Sequence, residues 1–576
     1  MIVPFPTQKS SSFRRKSESS IARRRDKESH TRYRSRWIPT FVGMTLVLFV
    51  LMTGFAFADT APVSNDLRDA LETAAPEIKT LGVSKDELGA IYAARDYKQA
   101  WNFGGAEKET TIGPFLTSLE QLIDYHGLRK EPYPIELMRT LIAAKDDKAN
   151  AHLDLLVTAS VLRLAHDLHG DTVDLTDDYP GWNFHRAGTD IPALLGAAMT
   201  TGSINEFITS LMPKQPAYGK LAAALTQYRA YHWDKIDGGA PLRPNDHDPR
   251  VPQLRARLQA EAYLPPAAND QPPDDFFDDE LRKALIAYQL RNGLEPDGHV
   301  GAWTLDALNT SVDTRVEQIR ANMERWRHMP DDFPPERFAA VNIADATIQI
   351  NEGGKAIYHG IVVIGKVDRK TPFIQSHIRS MIVNPIWHVP TKIARKDILP
   401  KLRKDPHYLE KLGFVISGEE NDPQGTNIDW SSMPEREFNF RLRQAPGKHN
   451  SLGHLKFDFD NDFAVYMHGT PHQELFAKAQ RNFSSGCIRL HDPDQVGEIL
   501  LKDTSGHWDA TKIASEIGKG KTRWVSIANP MPLYVLYWSV FTDPETGAVD
   551  FRKDVYDYDR IFDPTFTPIP ATQAGE

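Results

Sequence analysis

A single cysteine, Cys487, stands nineteen residues after His468 in this sequence of 576 residues. The histidine ends an apolar, strand-like run, and the cysteine follows Gly486 in a short polar turn. A free thiol has a pKa of about 8.5 and is mostly protonated at neutral pH, so a nearby imidazole is needed to generate the reactive thiolate. These residue types therefore predict nucleophilic acyl transfer, with Cys487 as nucleophile and His468 as proton donor and acceptor.

The same residues allow two other interpretations. A lone cysteine can simply be a small buried hydrophobe. A zinc site is the second alternative, because His454, His472 and His491 lie near Cys487 in the sequence. His468 and His472 are four residues apart, which would place them on one face of a helix, but the glycine and proline between them disfavour a helix. The sequence therefore predicts no metal and no cofactor.

The residues around the pair form a recognisable motif. Tyr-Met-His-Gly-Thr ends the apolar run, and Ser-Ser-Gly-Cys-Ile-Arg-Leu surrounds the cysteine. This pattern resembles the catalytic signature of the L,D-transpeptidase (YkuD-type) family. The resemblance implies that Cys487 is the nucleophile, that His468 is its base, and that the backbone carbonyl of Gly469 orients the imidazole. The backbone around Gly486, which lacks a Cβ, is expected to stabilise the oxyanion.

The same resemblance extends over further segments, at residues 365–372, 384–390 and 443–457. It departs at Ser485, where many members carry a histidine, and this departure points to the larger, scaffold-bearing subclass that resembles YcbB. The family's substrates are wall peptides with charged carboxylates, for which basic side chains are suitable partners. The predicted substrate-binding residues are Tyr466, Ser485, Arg489, Trp387, Asn384 and Arg443, with Lys366 and Arg369 as further candidate anion contacts.

A second motif lies between residues 294 and 308. Two helical segments precede it, and the motif itself consists of a glycine-rich turn and a short helix. The pattern resembles the three-helix peptidoglycan-binding module that is often attached to wall enzymes. The resemblance implies contact with glycan strands through residues 250–309. The matching residues are Leu294, Asp297, Gly298, Val300, Gly301, Thr304, Ala307 and Leu308.

Periodicity predicts a multidomain α+β protein. Apolar residues three and four apart indicate helices in the first part of the chain, and β-branched and aromatic runs from about residue 341 indicate strands. The C-terminal extension is expected to supply an edge strand. The predicted organisation is 1–58 signal peptide or signal anchor, 59–241 helical scaffold, 242–312 peptidoglycan-binding module, 313–510 β-rich YkuD-like catalytic domain with a lid insertion at about 395–446, and 511–576 C-terminal extension.

Charge and hydropathy predict an exported protein. Residues 1–36 carry eleven Lys or Arg against three Asp or Glu, and an apolar segment ending in Ala-Phe-Ala follows at 37–58. This order is typical of a secretory signal, although about 20 apolar residues can also span a bilayer, so cleavage and inner-membrane anchoring both stay open. The expected location is the periplasm or cell envelope of a Gram-negative-type bacterium. The net charge of −9 disfavours a nucleic-acid partner.

The family resemblance implies a two-step acyl transfer between two wall peptides. Tetrapeptide stems of peptidoglycan would serve as donor and acceptor, and the product would be a 3–3 cross-link formed through a thioester at Cys487. Two alternatives use the same residues differently. The first is an L,D-carboxypeptidase or wall-amide hydrolase, in which water replaces the acceptor amine. The second is a wall-binding adaptor whose catalytic domain is inactive.

Overall fold

The contacts within this computed structural model divide the chain into two compact units. The predicted signal segment, residues 1–58, lies outside the described residues. No helix within the described ranges is both long and apolar enough to cross a bilayer. The structure describes residues 65–73, 75–101, 108–144, 146–176, 179–265, 274–543 and 546–562.

One unit comprises the described residues between 65 and 168 together with 189–212, and the secondary structure of this part is helical. Its core consists of leucine, isoleucine and aromatic side chains that repeat at helical spacing, as the sequence predicted. The longest helix, α6, is buried on most of its faces, because the other helices pack around it. The helices are α1 Asn65–Thr73, α2 Ala75–Leu81, α3 Lys85–Ala93, α4 Lys108–Tyr125, α5 Ile135–Ala143, α6 Asp147–His169, α7 Ile191–Thr201 and α8 Ile204–Leu211.

The other unit contains residues 169–188 and everything from 213 onward. Tyr179 stacks on Phe373 at 4.9 Å, and Phe373 N–H donates to the carbonyl of Pro180 at 2.9 Å. The predicted scaffold boundary at residue 241 therefore does not coincide with this division of the chain. The helices of this unit outside the sheet region are α9 Pro216–Arg229, α10 Val251–Ala260, α11 Asp279–Arg291, α12 Ala302–Leu308 and α13 Val312–Arg327.

Helices α10, α11 and α12 enclose a small separate core. Gln289 is fully buried on α11 and closes the glycine-rich turn. Its amide donates to Asp297 Oδ1 at 2.9 Å and to the carbonyl of His299 at 3.0 Å, while its oxygen accepts from Gly298 N–H at 2.8 Å. Through these bonds Gln289 and the turn residues satisfy each other's polar groups.

The described residues from Arg337 onward are built around a sheet of nine strands. Its order is β10-β3-β11-β9-β8-β4-β12-β1-β2, and β3 also pairs with β2, which closes eight of these strands into a barrel and leaves β10 attached to β3. The strands are β1 Arg337–Asn342, β2 Thr347–Glu352, β3 Lys355–Gly365, β4 Ile374–Val383, β8 Leu455–Phe459, β9 Met467–His468, β10 Asn482–Ser484, β11 Ile488–Leu490 and β12 Arg523–Leu536, and helices α17 Pro493–Leu501 and α18 Ala510–Gly518 lie between β11 and β12.

The expectation of an edge strand in the C-terminal extension is wrong. Strand β12 lies inside the sheet, parallel to β1 on one side and antiparallel to β4 on the other. Its proline-containing stretch is typical of an edge, but the structure accommodates it where the register with β4 shifts between Ser526 and Met531. From Leu533 to Leu536 the strand is buried on both faces, as a central strand should be.

The predicted lid insertion forms a small subdomain with its own core. Its apolar side chains include Trp430 and Phe438, and they pack together independently of the barrel core. Three short strands pair in the order β5-β7-β6, and helical turns precede β6. The elements are β5 Trp387–His388, α14 Thr391–Ile393, a π-helical turn Ala394–Ile398, α15 Leu399–Lys404, α16 Tyr408–Lys411, β6 Phe414–Ile416 and β7 Leu442–Gln444.

The C-terminal extension continues from β12 into a hairpin, β13 Val540–Thr542 and β14 Val549–Phe551. A buried ion pair ties it to α13, with Arg325 Nη1 at 2.8 Å from Asp559 Oδ1 and both side chains almost fully buried. Ser539 Oγ donates to the same carboxylate at 2.8 Å. Charged groups this deeply buried are stable only when paired, so the extension is an integral part of this unit.

Candidate active site

Two neighbouring strands bring the predicted catalytic residues together. Strands β9 and β11 run parallel, with Met467 opposite Ile488 and His468 opposite Arg489. Side chains alternate between the two faces of a strand, so His468 and Arg489 share one face, while Met467 and Ile488 point into the core. Extending this register by one residue places Cys487 beside Tyr466 on the same face as His468. His468 is then the diagonal neighbour of Cys487 across the strand pair, at a spacing of about 7–8 Å that an aromatic side chain can span.

The turn before Cys487 is held by hydrogen bonds of its own. Gly486 has φ +111°, a conformation that favours glycine. Ser484 Oγ donates to the carbonyl of Cys487 at 2.5 Å and accepts from Gly486 N–H at 3.1 Å. The Gly486 amide, predicted as an oxyanion donor, is therefore already engaged because the serine hydroxyl closes the turn. The amide of Cys487 is the remaining candidate for that role.

Cys487 is half-buried and has polar neighbours. Burial raises the pKa of its thiol, and hydrogen bonds from the backbone amide and the hydroxyl of Tyr466 act in the opposite direction. Lys456 and Arg489 also favour the thiolate through their positive charges. The Tyr466 hydroxyl in turn accepts a hydrogen bond from the side chain of Trp387. Trp387, Tyr466 and Cys487 thus form a short hydrogen-bonded chain that ends at the sulfur.

His468 is buried, with 5% of its surface exposed. Its Nδ1 lies 2.5 Å from the carbonyl of Gly469, which fixes the hydrogen on Nδ1 and leaves Nε2 as the acceptor. Burial is the main cause that lowers the pKa of His468 to about 3, and the positive charge of Arg489 lowers it further. The imidazole is therefore neutral at physiological pH, as a proton acceptor must be.

Arg489 supplies a cation beside this pair. Its guanidinium is mostly buried, and burial lowers its pKa, although it stays protonated. Nε of Arg489 has no hydrogen-bond partner among the described residues. Because a buried guanidinium with an unused donor is costly, this side chain is suited to receive an anionic group such as a carboxylate.

Three segments of the chain match known protein families. Residues 336–521 match the L,D-transpeptidase catalytic domain. The chain carries an L,D-transpeptidase catalytic domain. Residues 86–225 match a family described as "Scaffold domain", and residues 247–308 match one described as "Putative peptidoglycan binding domain". These matches confirm the family resemblance and the α+β fold class that the sequence predicted.

A relative from Haemophilus influenzae is similar to more than half of the chain. It is named "Putative L,D-transpeptidase" and is 31% identical over 316 residues. The aligned region covers 53% of this chain and 63% of the relative, so the similarity spans less than two thirds of that protein's length.

Some predicted substrate contacts lie elsewhere in the L,D-transpeptidase domain. Asn384 is buried, and its amide donates to backbone carbonyls of Glu516 and Ile517 at 3.2 and 3.0 Å. These bonds cap the end of helix α18, so the side-chain amide serves the fold, and the contact of Asn384 with substrate stays a prediction. Arg443 is exposed on β7 of the insertion, where it pairs with His388. Its contact with substrate stays a prediction.

Ser485 belongs to a link between the nucleophile turn and the insertion. Arg369 Nη1 donates to Ser485 Oγ at 2.9 Å, and the same guanidinium is paired with Asp397 in the π-helical turn. Arg369, predicted as a candidate anion contact, is therefore occupied by a protein carboxylate. Lys366 contributes its backbone, whose N–H donates to the carbonyl of Ser484 at 3.0 Å.

Two of the histidines considered as zinc ligands, His472 and His491, have carboxylate neighbours. His472 is paired with Glu474, and His491 with Asp492, and both are exposed. Over the described ranges, ligand atoms of a His/Asp/Glu/Cys group converge only at His247, Asp274 and Asp275, on the surface of the small helical module. That the catalytic site needs no metal stays a prediction.

Proposed function

We propose that this chain is a peptidoglycan L,D-transpeptidase that forms 3–3 cross-links through a thioester at Cys487. The observation that supports this most is that the chain's only thiol lies on the same strand face as Arg489 and as a neutral imidazole whose Nε2 can accept a proton. The family match covers these residues. Cys487 is thus the proposed nucleophile and His468 the proposed general base.

The proposed reaction proceeds in two acyl transfers. His468 Nε2 takes the thiol proton as the sulfur of Cys487 attacks the carbonyl between the third and fourth residues of a donor stem. The amide N–H of Cys487 stabilises the resulting oxyanion, and the terminal D-Ala leaves as an amine with the proton from His468. A side-chain amine of an acceptor stem then attacks the thioester, which releases the thiol and completes the cross-link.

Residues around Cys487 and in the small helical module are proposed to bind the substrate. Arg489 is proposed to receive a stem carboxylate, because its guanidinium is buried beside the sulfur with an unused donor. The Trp387 and Tyr466 side chains line the site through their hydrogen-bonded chain to the sulfur. Residues 250–309 are proposed to hold the glycan strand. With such a substrate, the proposed location of the protein is the periplasm of the cell envelope. The protein would be either released there or anchored in the inner membrane.

The test uses full-length protein and defined disaccharide-tetrapeptide muropeptides. Cross-linked dimer is the expected product, separated by chromatography and identified by mass. Tripeptide monomer alone would instead indicate a carboxypeptidase or hydrolase, and unchanged but bound substrate would indicate an inactive adaptor. Cys487→Ala should abolish product while leaving sacculus binding intact. Incubation with a carbapenem should add one acyl group to the wild-type protein and none to Cys487→Ala.

A further inference from the structure

The carbonyl of Gly486 is held by a residue from another part of the barrel. Thr371 Oγ1 donates to this carbonyl at 2.9 Å and accepts from Gly365 N–H at 2.9 Å. Thr371 is fully buried, so its hydroxyl has no access to competing water. The peptide between Gly486 and Cys487 is therefore fixed on one side by a hydroxyl that has both its donor and acceptor positions in use.

Tyr556 from the C-terminal extension completes this arrangement. Its hydroxyl accepts from Thr371 N–H at 3.1 Å and donates to the carbonyl of Gly365 at 2.5 Å. Both backbone groups of Gly365 are thus bonded, one to Thr371 and one to Tyr556. The approach is close enough that a Cβ on Gly365 would lie 2.2 Å from the carbonyl oxygen of Arg369. Only glycine fits there.

Tyr556 is itself held firmly. Lys370 Nζ donates to the carbonyl of Tyr556 at 2.6 Å, and the Tyr556 N–H donates to the hydroxyl of Tyr537 at 3.1 Å. Tyr537 in turn donates to Asp554 Oδ1 at 2.6 Å. Residues 537–556 lie beyond residue 521, where the match to the catalytic domain ends. The nucleophile turn therefore depends on a segment outside the matched domain.

In a trans peptide the C=O and the N–H point in opposite directions. When Thr371 holds the Gly486 carbonyl, the Cys487 N–H must point away from Thr371, toward the open side of the turn. We propose that Thr371 and Tyr556 are positioning residues that orient the Gly486–Cys487 peptide so that the Cys487 N–H meets the substrate oxyanion, which makes the C-terminal extension part of the acyl-transfer site. This inference rests on the proposed acyl-transfer function.

Two reactions of the Cys487 sulfur distinguish the loss of a correctly oriented Cys487 N–H from a general disturbance of the site. Acylation by a carbapenem creates an oxyanion, whereas alkylation by iodoacetamide needs only the thiolate. Removing one oxyanion donor commonly costs about 100- to 1000-fold in rate, and a misdirected donor should cost about tenfold or more. Thr371→Val and Tyr556→Phe are therefore expected to slow acylation at least about tenfold, while the rate of alkylation changes by less than about threefold.

Matched variants control for the loss of a buried hydroxyl. Thr371→Ser keeps the hydroxyl and should restore acylation. Tyr558→Phe removes a buried hydroxyl of the same extension that has no hydrogen-bond partner within the described residues, so it should acylate at the wild-type rate. Both rates are read from intact mass over time on full-length protein, alongside the thermal midpoint of each variant.

Three outcomes decide the matter. The inference is overturned if Thr371→Val is acylated as fast as Thr371→Ser, or if alkylation falls in parallel with acylation. The serine and valine pair settles this even if Tyr556→Phe does not fold. A wild-type protein that is alkylated but never acylated would instead refute the proposed function, which keeps the two failures distinguishable.

Discussion

Removal of the Tyr466 hydroxyl tests whether the hydrogen-bonded chain at the active site controls the sulfur. The hydroxyl donates to Cys487 and lowers its pKa, against the effect of burial. A hydrogen bond to a charged acceptor contributes about 1.5–3 kcal/mol. The lower figure is used here because Cys487 is a half-buried residue. Since about 1.4 kcal/mol corresponds to a factor of ten, Tyr466→Phe should reduce the thiolate population at neutral pH about tenfold.

The assay is the rate of iodoacetamide alkylation of the full-length protein as a function of pH, read as intact mass. Tyr466→Phe should be alkylated about tenfold more slowly at pH 7, and its profile should move to higher pH. Tyr358→Phe is the matched control, because Tyr358 is buried in the same barrel and its hydroxyl has no hydrogen-bond partner in the described part of the chain. Identical profiles for Tyr466→Phe and the wild type would refute the reasoning.

Three further predictions concern the pH dependence of acylation and two variants of the chain. Burial lowers the pKa of His468 to about 3, so the base stays neutral above about pH 4 and the carbapenem acylation rate should show no inflection near pH 6.5; an inflection there would contradict the buried, neutral imidazole. Arg325→Met leaves Asp559 buried without its partner, so it should lower the free energy of unfolding, measured with urea, by about 3–5 kcal/mol. The double variant Arg325→Met/Asp559→Leu should regain much of this loss, because it removes the unpaired charge. Gly365→Ala should lower both the thermal midpoint and the acylation rate, because its Cβ would collide with the backbone at Arg369; wild-type values for both would show that the close approach is not required.

The sequence predicted the local structure of the candidate site best where the functional residues lie close together in the chain. The motif around Cys487 predicted a turn that exposes a thiol, and the run ending at His468 predicted a strand. Both are found, as β11 with its preceding turn and as β9. The pairing of these strands brings the two residues together. Gly469 was predicted to orient the imidazole through its carbonyl, and the short Nδ1 contact has the geometry that this role requires.

Contacts between distant segments could not be predicted. Thr371 lay within a matching segment, but nothing in the pattern indicated that its hydroxyl meets a carbonyl 115 residues later. Tyr556 had no local signal at all, since one tyrosine in an aromatic-rich tail is indistinguishable from another. The helix-capping bonds of Asn384 were not predicted either, because a polar residue in a motif can cap a helix as readily as bind a ligand.

Strand β12 has a practical consequence for anyone who expresses this protein in pieces. It is the last strand of the barrel to be synthesised, yet it fills the position between β1 and β4. A fragment that stops at residue 521, where the match to the catalytic domain ends, would leave both of those strands with bare, hydrogen-bonding edges and an unfilled seam. Unpaired strand edges pair with other chains. Aggregation of that fragment would therefore result from the absence of strand β12 and would carry no information about the solubility of the full-length protein.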